Sequence, residues 1–305
     1  MVLETNLKGI PLISRGKVRD IYDLGSELLI VATDRISAFD FILPTGIPDK
    51  GKVLTQLSKF WFELTKDIIP NHLIATDVDE FPSNLREYKS ILEGRSMLVK
   101  KTSVIPVECV VRGWLAGSGW EEYQKSGTVC GIQLPKGLVE SSKLLAAIFT
   151  PTTKATEGHD MPINFEQCRK LVGDEVADSL RRKSIALYTF AAEYARKKGI
   201  IIADTKFEFG MLNNQIILID EVFTPDSSRF WSVSDYVEGE SQKSFDKQFV
   251  RDYLLSIKWN KQPPVPELPD EIVKKTREKY MDAVRLITTG EKEKPLYEKG
   301  KYFVS

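Results

Sequence analysis

The stretch "IIIADTKFEFGMLNNQIILID", residues 200–220, carries an unbroken apolar run into an alternation of charged and apolar side chains. Side chains alternate across a β-strand, so Asp204, Lys206 and Glu208 share one face, while Thr205, Phe207 and Phe209 take the other. A run such as "IIIA" suits a strand buried on both faces, so the charges begin where a central strand emerges. "FEFGMLNNQIILID" reads as a hairpin turning at Asn213-Asn214. Its register has two solutions. A three-residue loop over 213–215 sets Glu208 directly opposite Asp220. A two-residue loop pairs Glu208 with Ile219 and sends Asp220 to the other face. Directly opposed carboxylates repel by up to about 1 kcal/mol on a sheet surface, and a divalent cation between them removes the penalty. The competing reading is a solvated outer face of an antiparallel pair.

Working outward, "IDEVFTPDSSRF" (219–230) adds Glu221, Asp226 and Arg229. Its "TPDSSR" sets a turn-forming Pro-Asp beside hydroxyls and an arginine suited to bidentate oxyanion binding. "RGKVRD" (15–20) opens a strand with a glycine and two cations two apart, Lys17 and Arg19, which could face a polyphosphate; it is neither a Walker A loop nor G-x-G-x-x-G. "DRISAFD" (34–40) clusters Asp34, Arg35, Ser37 and Asp40 at a strand end. In "VIPVECVVRGWLAGSGW" (104–120), Glu108 and Arg112 would share one strand face among valines, an expensive place for idle charges. Gly117-Ser118-Gly119 then leads to a helix predicted near 120–125, a ready anion site. "FTPTTKATEGHD" (149–160) supplies Lys154 among hydroxyls, in a segment that also reads as a mobile loop.

Composition narrows the classes. The 305 residues allow two domains, and the 42% apolar and 28% charged fractions are those of a globular protein. A net charge of zero argues against general nucleic-acid or anionic-membrane binding. No secretory signal or membrane-length apolar run stands out, and three scattered cysteines give neither a disulfide framework nor a zinc spacing, so a cytoplasmic protein is expected. His72 reads as surface or capping, and His159 as a loop residue bonded locally to Asp160. No nucleophile elbow is present. The charged inventory suits phosphate, metal and carboxylate handling without a covalent protein nucleophile.

The organisation follows from periodicity. "KVRDIYDL" and "ELLIVATD" form a hairpin about Gly25-Ser26; 52–66, 174–198 and about 270–286 are helices; "SMLVKK" and "VECVVRG" are strands; 131–163 is mostly loop. The order favours an α+β fold, divided as a β-rich lobe over 1–105 and a larger α+β lobe over 106–305 that includes a C-terminal helical segment, 264–305.

The blocks "GKVRDIY", "ATDRISAFD", "IPVECVVRGWLAGS", "IADTKFEFG" and "DEVFTPDSSRFW" together resemble the SAICAR synthetase family of purine biosynthesis, over about residues 15–255. The length and the long 131–163 segment resemble its monofunctional fungal-type members. The resemblance implies a kinase-like small antiparallel β-lobe packed on a larger α+β ATP-binding lobe. It also implies ATP-dependent condensation of carboxyaminoimidazole ribotide (CAIR) with L-aspartate, through phosphoryl transfer to the substrate carboxylate and amine attack on the acyl phosphate. Carried onto this sequence, Glu208 and Asp220 would hold Mg²⁺. Lys17, Val18, Arg19, Ile21 and Lys154 would lie against ATP, with Lys100 to Val104 along the adenine. Arg112, Ser118 and Arg229 would grip the ribotide phosphate, and Lys206, Asp226 and Glu108 would address the imidazole and its carboxylate. Ser37 and Asp40 are the candidates for aspartate. The expected geometry is an odd-length loop, Glu208 opposite Asp220, with one Mg²⁺ between them. A small-molecule kinase or a nucleotide-binding regulator without turnover are the alternatives, and a monomer is expected.

Overall fold

The computed structural model describes residues 1–154, 160–245 and 247–289. The first sheet is antiparallel, in the order β1-β2-β3-β7-β6. Its strands are Leu12–Arg15 (β1), Arg19–Asp23 (β2), Glu27–Ala32 (β3), Leu73–Ala75 (β6) and Ser96–Lys100 (β7). Between β3 and β6 lie a small hairpin, Ser37–Ala38 (β4) with Phe41–Ile42 (β5), and the helix Lys50–Leu64 (α1); a single turn, Lys89–Leu92 (α2), leads into β7. The second sheet has seven strands: Ser103–Val104 (β8), Val107–Trp114 (β9), Lys143–Phe149 (β12), Thr152–Thr153 (β13), Ile200–Leu212 (β14), Gln215–Ile219 (β15) and Ser228–Ser232 (β16). Gly117–Ser126 (α3) and the hairpin Thr128–Val129 (β10) with Ile132–Gln133 (β11) follow β9. The other helices are Phe165–Val172 (α4), Asp174–Lys197 (α5), Gln248–Ser256 (α6) and Asp270–Thr288 (α7). The α+β class is as expected.

The helices form where the apolar spacing demands. In α1, Val53, Leu54, Leu57, Trp61 and Phe62 recur at three- and four-residue intervals and are buried, while Lys59 and Glu63 stay outside. In α5, Ala177, Leu180, Ser184, Leu187, Tyr188, Ala191 and Ala195 make one buried stripe. Asp174 and Glu175 in its first turn, with Arg196 and Lys197 in its last, oppose the helix dipole. The largest apolar core draws on both sheets, joining Ile30 and Val99 to Val107, Ile202 and Phe207, with α1, α5 and α7 contributing.

Three expectations need correction. The hairpin closes with two residues, not three: Leu212 pairs with Gln215, and Glu208 pairs with Ile219, not Asp220. Asn213 and Asn214 adopt φ of 49° and 60°, the left-handed pair that a two-residue turn requires and that asparagine tolerates. The 131–163 region is not mostly loop, because β12 and β13 both pair with β9. "KLLAAIF" hid this: β12 is irregular between Lys143 and Ile148 and leaves Leu145 94% exposed, so its side chains do not alternate cleanly. His72 is neither surface nor cap; it is buried, with its ring against Phe62. The His159 expectation lies outside the described residues.

Trp61 joins these layers. It is fully buried, with the rings of Phe60, Tyr194 and Phe223 at 5.3, 5.5 and 5.0 Å. Trp61→Ala is expected to lower stability by about 3–5 kcal/mol in urea unfolding.

Candidate active site

Strand β14 is the floor of the site. Asp204 is in register with Arg112 of β9 on one side and Arg229 of β16 on the other. Arg112 Nη1 donates to Asp204 Oδ2 at 2.9 Å, and Arg229 Nη1 donates to the same oxygen. Arg112 is itself buried; its remaining donors reach Ser118 Oγ and Thr150 Oγ1, each at 3.1 Å. Ser118 and Arg229 border the open cleft, while Arg112 lines a neighbouring cleft that it shares with Ser118. Gly117 has a φ of 52°, and a Cβ there would meet Arg229 Nη2 at 2.2 Å, so glycine is what lets the guanidinium lie against the start of α3.

Further along β14, Lys206 Nζ donates to Glu108 Oε1 at 2.6 Å. Burial pushes the Glu108 carboxyl above its usual range, and Lys206 only partly offsets this. Lys154 pairs with Glu208, and Lys17 with Asp40. Arg19 pairs with Asp220 and, at 3.2 Å, with Glu221. Burial would raise the Asp220 carboxyl, but Arg19, Lys154 and Lys206 outweigh it and hold it below the usual range. His72 Nε2 lies 3.2 Å from the Asp220 carbonyl oxygen, and burial takes its pKa down to about 4, which keeps the ring neutral at pH 7.

The register excludes a direct cross-strand pair of Glu208 and Asp220, but Asp220 does not continue the strand. Its φ is 67°, a left-handed kink that turns the chain at the end of β15. Both carboxylates act on Arg19, and Lys154, bonded to Glu208, also acts on Asp220. They thus converge on one set of cations by a backbone kink rather than by strand pairing. Among the described residues no group of three or more His, Cys, Asp or Glu could hold a metal ion. A two-carboxylate set suits Mg²⁺ only when phosphate oxygens and water complete its shell.

A cleft of about 760 Å³ brings together Lys17, Ser37, Asp40, Ser118, Lys206, Asp226 and Arg229. Other predicted residues stand apart. Lys100 Nζ lies 3.5 Å from the Asn71 carbonyl oxygen and borders a different cleft, with Lys59 and Lys66. Val18 is buried and its carbonyl accepts from Thr33; Ile21 is half-buried; Val104 is 51% exposed on β8. The residues missed are Asp204 as the joint partner of two arginines, Glu221 on Arg19, and Lys247, Arg251 and Lys261 on the cleft wall. Asp204 was legible on the charged face of β14. The cations beyond residue 245 follow no motif, and only folding brings them to the wall.

The sequence pattern of SAICAR synthetase matches residues 12–266. The chain belongs to the SAICAR synthetase family. The phosphoribosylaminoimidazole-succinocarboxamide synthase of Thermodesulfovibrio yellowstonii is 61% identical over 95% of this chain and 99% of its own. The SAICAR synthase of Saccharomyces cerevisiae, solved with SAICAR, is 47% identical, with a TM-score of 0.88 over 94% of this chain and 98% of that one. A SAICAR synthetase solved with ADP is 25% identical, with a TM-score of 0.67 over 92% and 99% of the two chains. The SAICAR synthetase fold and the α+β class with antiparallel sheets expected from the sequence are thus those of the structure. The activity is the ATP-dependent ligation of CAIR and aspartate in purine biosynthesis, and the small-molecule kinase alternative is not favoured.

Gly117→Ala is expected to push Arg229 off the start of α3. In steady-state assays the KM for CAIR should rise roughly tenfold, as one charge-assisted contact is worth, with the KM for ATP little changed.

Proposed function

We propose that the cation–carboxylate pairs along β14 divide the site into three subsites for ATP, CAIR and L-aspartate. The observation carrying this is the convergence of Lys17, Ser118, Lys206, Asp226 and Arg229 on one cleft, with Arg19, Lys154, Glu208 and Asp220 joined by charge beside it. Lys17, Arg19 and Lys154 face the ATP phosphates, with Val18 and Ile21 beneath the nucleotide, Val104 along the adenine and Lys100 outside the phosphate cluster. Glu208 and Asp220 are the residues that would hold Mg²⁺, which supplies charge neutralisation for phosphoryl transfer when bound.

Ser118 and Arg229 grip the ribotide phosphate. The backbone N–H groups at the start of α3 add a favourable dipole, and Arg112 hydrogen-bonds Ser118. Lys206, with Glu108, addresses the CAIR carboxylate, and Asp226 accepts from the aminoimidazole. The CAIR carboxylate attacks the terminal phosphorus of ATP and ADP leaves. The aspartate amine then attacks the acyl carbon of the resulting acyl phosphate, so that the amide C–N bond forms as the C–O bond to phosphate breaks, inorganic phosphate departs and the amine's surplus proton passes to it or to solvent. No protein nucleophile is required, so positioning two anions and screening their charge is the protein's part. Ser37 and Asp40 face aspartate, and Arg251 and Lys261 on the same wall offer cations for its two carboxylates. The boundary between the lobes falls near residue 105. No helix among the described residues is long and apolar enough to cross a membrane. A cytoplasmic monomer acting on small molecules completes this reading.

The test is an assay requiring all three substrates, with ATP consumption dependent on both CAIR and aspartate and an amide as product. Glu208→Gln should reduce kcat by about 10²–10³ while the urea midpoint stays within experimental scatter, and near-normal turnover would remove its role. Arg229→Ala should raise the KM for CAIR far more than that for ATP; equal effects would discard the phosphate clamp.

A further inference from the structure

Asp226 borders the cleft, yet its side chain is only 2% exposed and both carboxylate oxygens are already committed. Lys50 Nζ donates to Oδ2 at 2.6 Å, Lys247 Nζ lies 3.2 Å from the same oxygen, and the Tyr280 hydroxyl donates to Oδ1 at 2.7 Å. These groups come from the first turn of α1, the residue before α6, and the middle of α7. Lys50 is completely buried, and its ammonium also stands 5.7 Å from the centre of the Tyr280 ring. A lysine stripped of water costs several kcal/mol unless its charge is used. Here the charge is spent on a carboxylate at the wall of the substrate cleft.

We infer that Lys50 and Tyr280 are positioning residues for the ligase reaction, which lock Asp226 in one rotamer as a permanent anion and make α7 part of the CAIR site. This rests on the reading of Asp226 as the acceptor for the aminoimidazole. Lys50 and Lys247 share Oδ2 and Tyr280 takes Oδ1, so Oδ1 keeps one acceptor site in a residue that borders the cleft. Held this way, Asp226 does not take a proton from substrate; it accepts a hydrogen bond and orients the ring whose carboxylate must meet ATP. A purely structural ion cluster, gluing α7 to α1, is the other use of the same geometry.

The groups facing Asp226 are Lys50 from α1, Lys247 before α6 and Tyr280 from α7, with Glu221 and Arg19 acting at longer range. Burial would raise its pKa, but Lys247 and Lys50 outweigh this and hold it below the usual carboxylate range. Removing a donor therefore raises the Asp226 pKa. Because the ionised form is the one that binds, losing a lysine, whose charge does most to hold that form, moves the acid limb of kcat/KM for CAIR towards higher pH.

The experiment compares Tyr280→Phe, Lys50→Met, Lys50→Arg and Asp226→Asn in the full chain, by KM and kcat for each substrate, the pH profile and the melting temperature. Tyr280→Phe keeps the ring and removes only the donor. It should lower kcat/KM for CAIR about tenfold, with the KM for ATP within about twofold. Lys50→Met should do the same more strongly, and Lys50→Arg should recover part of the loss. A lower melting temperature with unchanged kcat/KM for CAIR and an unmoved acid limb would make the cluster structural only and overturn the inference. Should Lys50→Met fail to fold, Tyr280→Phe decides alone. Wild-type kinetics in Asp226→Asn would instead overturn the assignment of Asp226 to CAIR, which distinguishes the two failures.

Discussion

Hydrogen bonding of β14 to four other strands is the constraint from which the site follows. β9 and β16 flank its first half, while β15 and β8 flank its second. A strand enclosed on both edges cannot slide, because a one-residue slip would send Phe207 and Phe209 to the wet face and Lys206 and Glu208 into the core. With the register locked, Asp204 must fall between Arg112 and Arg229, and Lys206 must fall near Glu108. The catalytic floor is thus a by-product of burying an apolar strand.

The electrostatics follow from the same placement. Five of the cations assigned to a phosphate or carboxylate have an anionic neighbour within the site: Lys17 with Asp40, Arg19 with Asp220, Lys154 with Glu208, Lys206 with Glu108, Arg229 with Asp204. The pairs hold the side chains where a polyanion will need them, and limit the cost of burying charge. In the proposed assignment a bound phosphate would exchange one anion for another instead of introducing charge into an unprepared pocket, which is what preorganisation requires. Zero net charge over the chain has its local counterpart here.

Much of this was readable from local pattern. Alternation in 204–209 marked the charged face, the three- and four-residue spacing of α1 and α5 marked their buried stripes, and Glu108 with Arg112 stood out as charges among valines. These signals are short-range, so one strand or helix suffices to show them. What failed was either decided by a single residue or paid for at long range. The loop count of the hairpin turned on whether Gln215 belonged to the turn, and the left-handed kink at Asp220 leaves no mark in composition. β12 lacked alternation because its bulge breaks the pattern. Lys50, in "PDKGK", belongs to no motif that singles it out.

The sequence by itself determined the α+β class, the central strand, the family and the charged face of that strand, because apolar periodicity and contiguous motifs are local and survive without coordinates. Tertiary structure alone decided how Glu208 and Asp220 approach, that Arg112 hydrogen-bonds Ser118, that His72 is buried and neutral, and that a lysine from α1 and a tyrosine from α7 meet on Asp226. Lys50 and Asp226 are 176 residues apart in the chain. No local propensity encodes such a pair; it exists because the packing of α1, α6 and α7 brings their cations and a hydroxyl around one carboxylate.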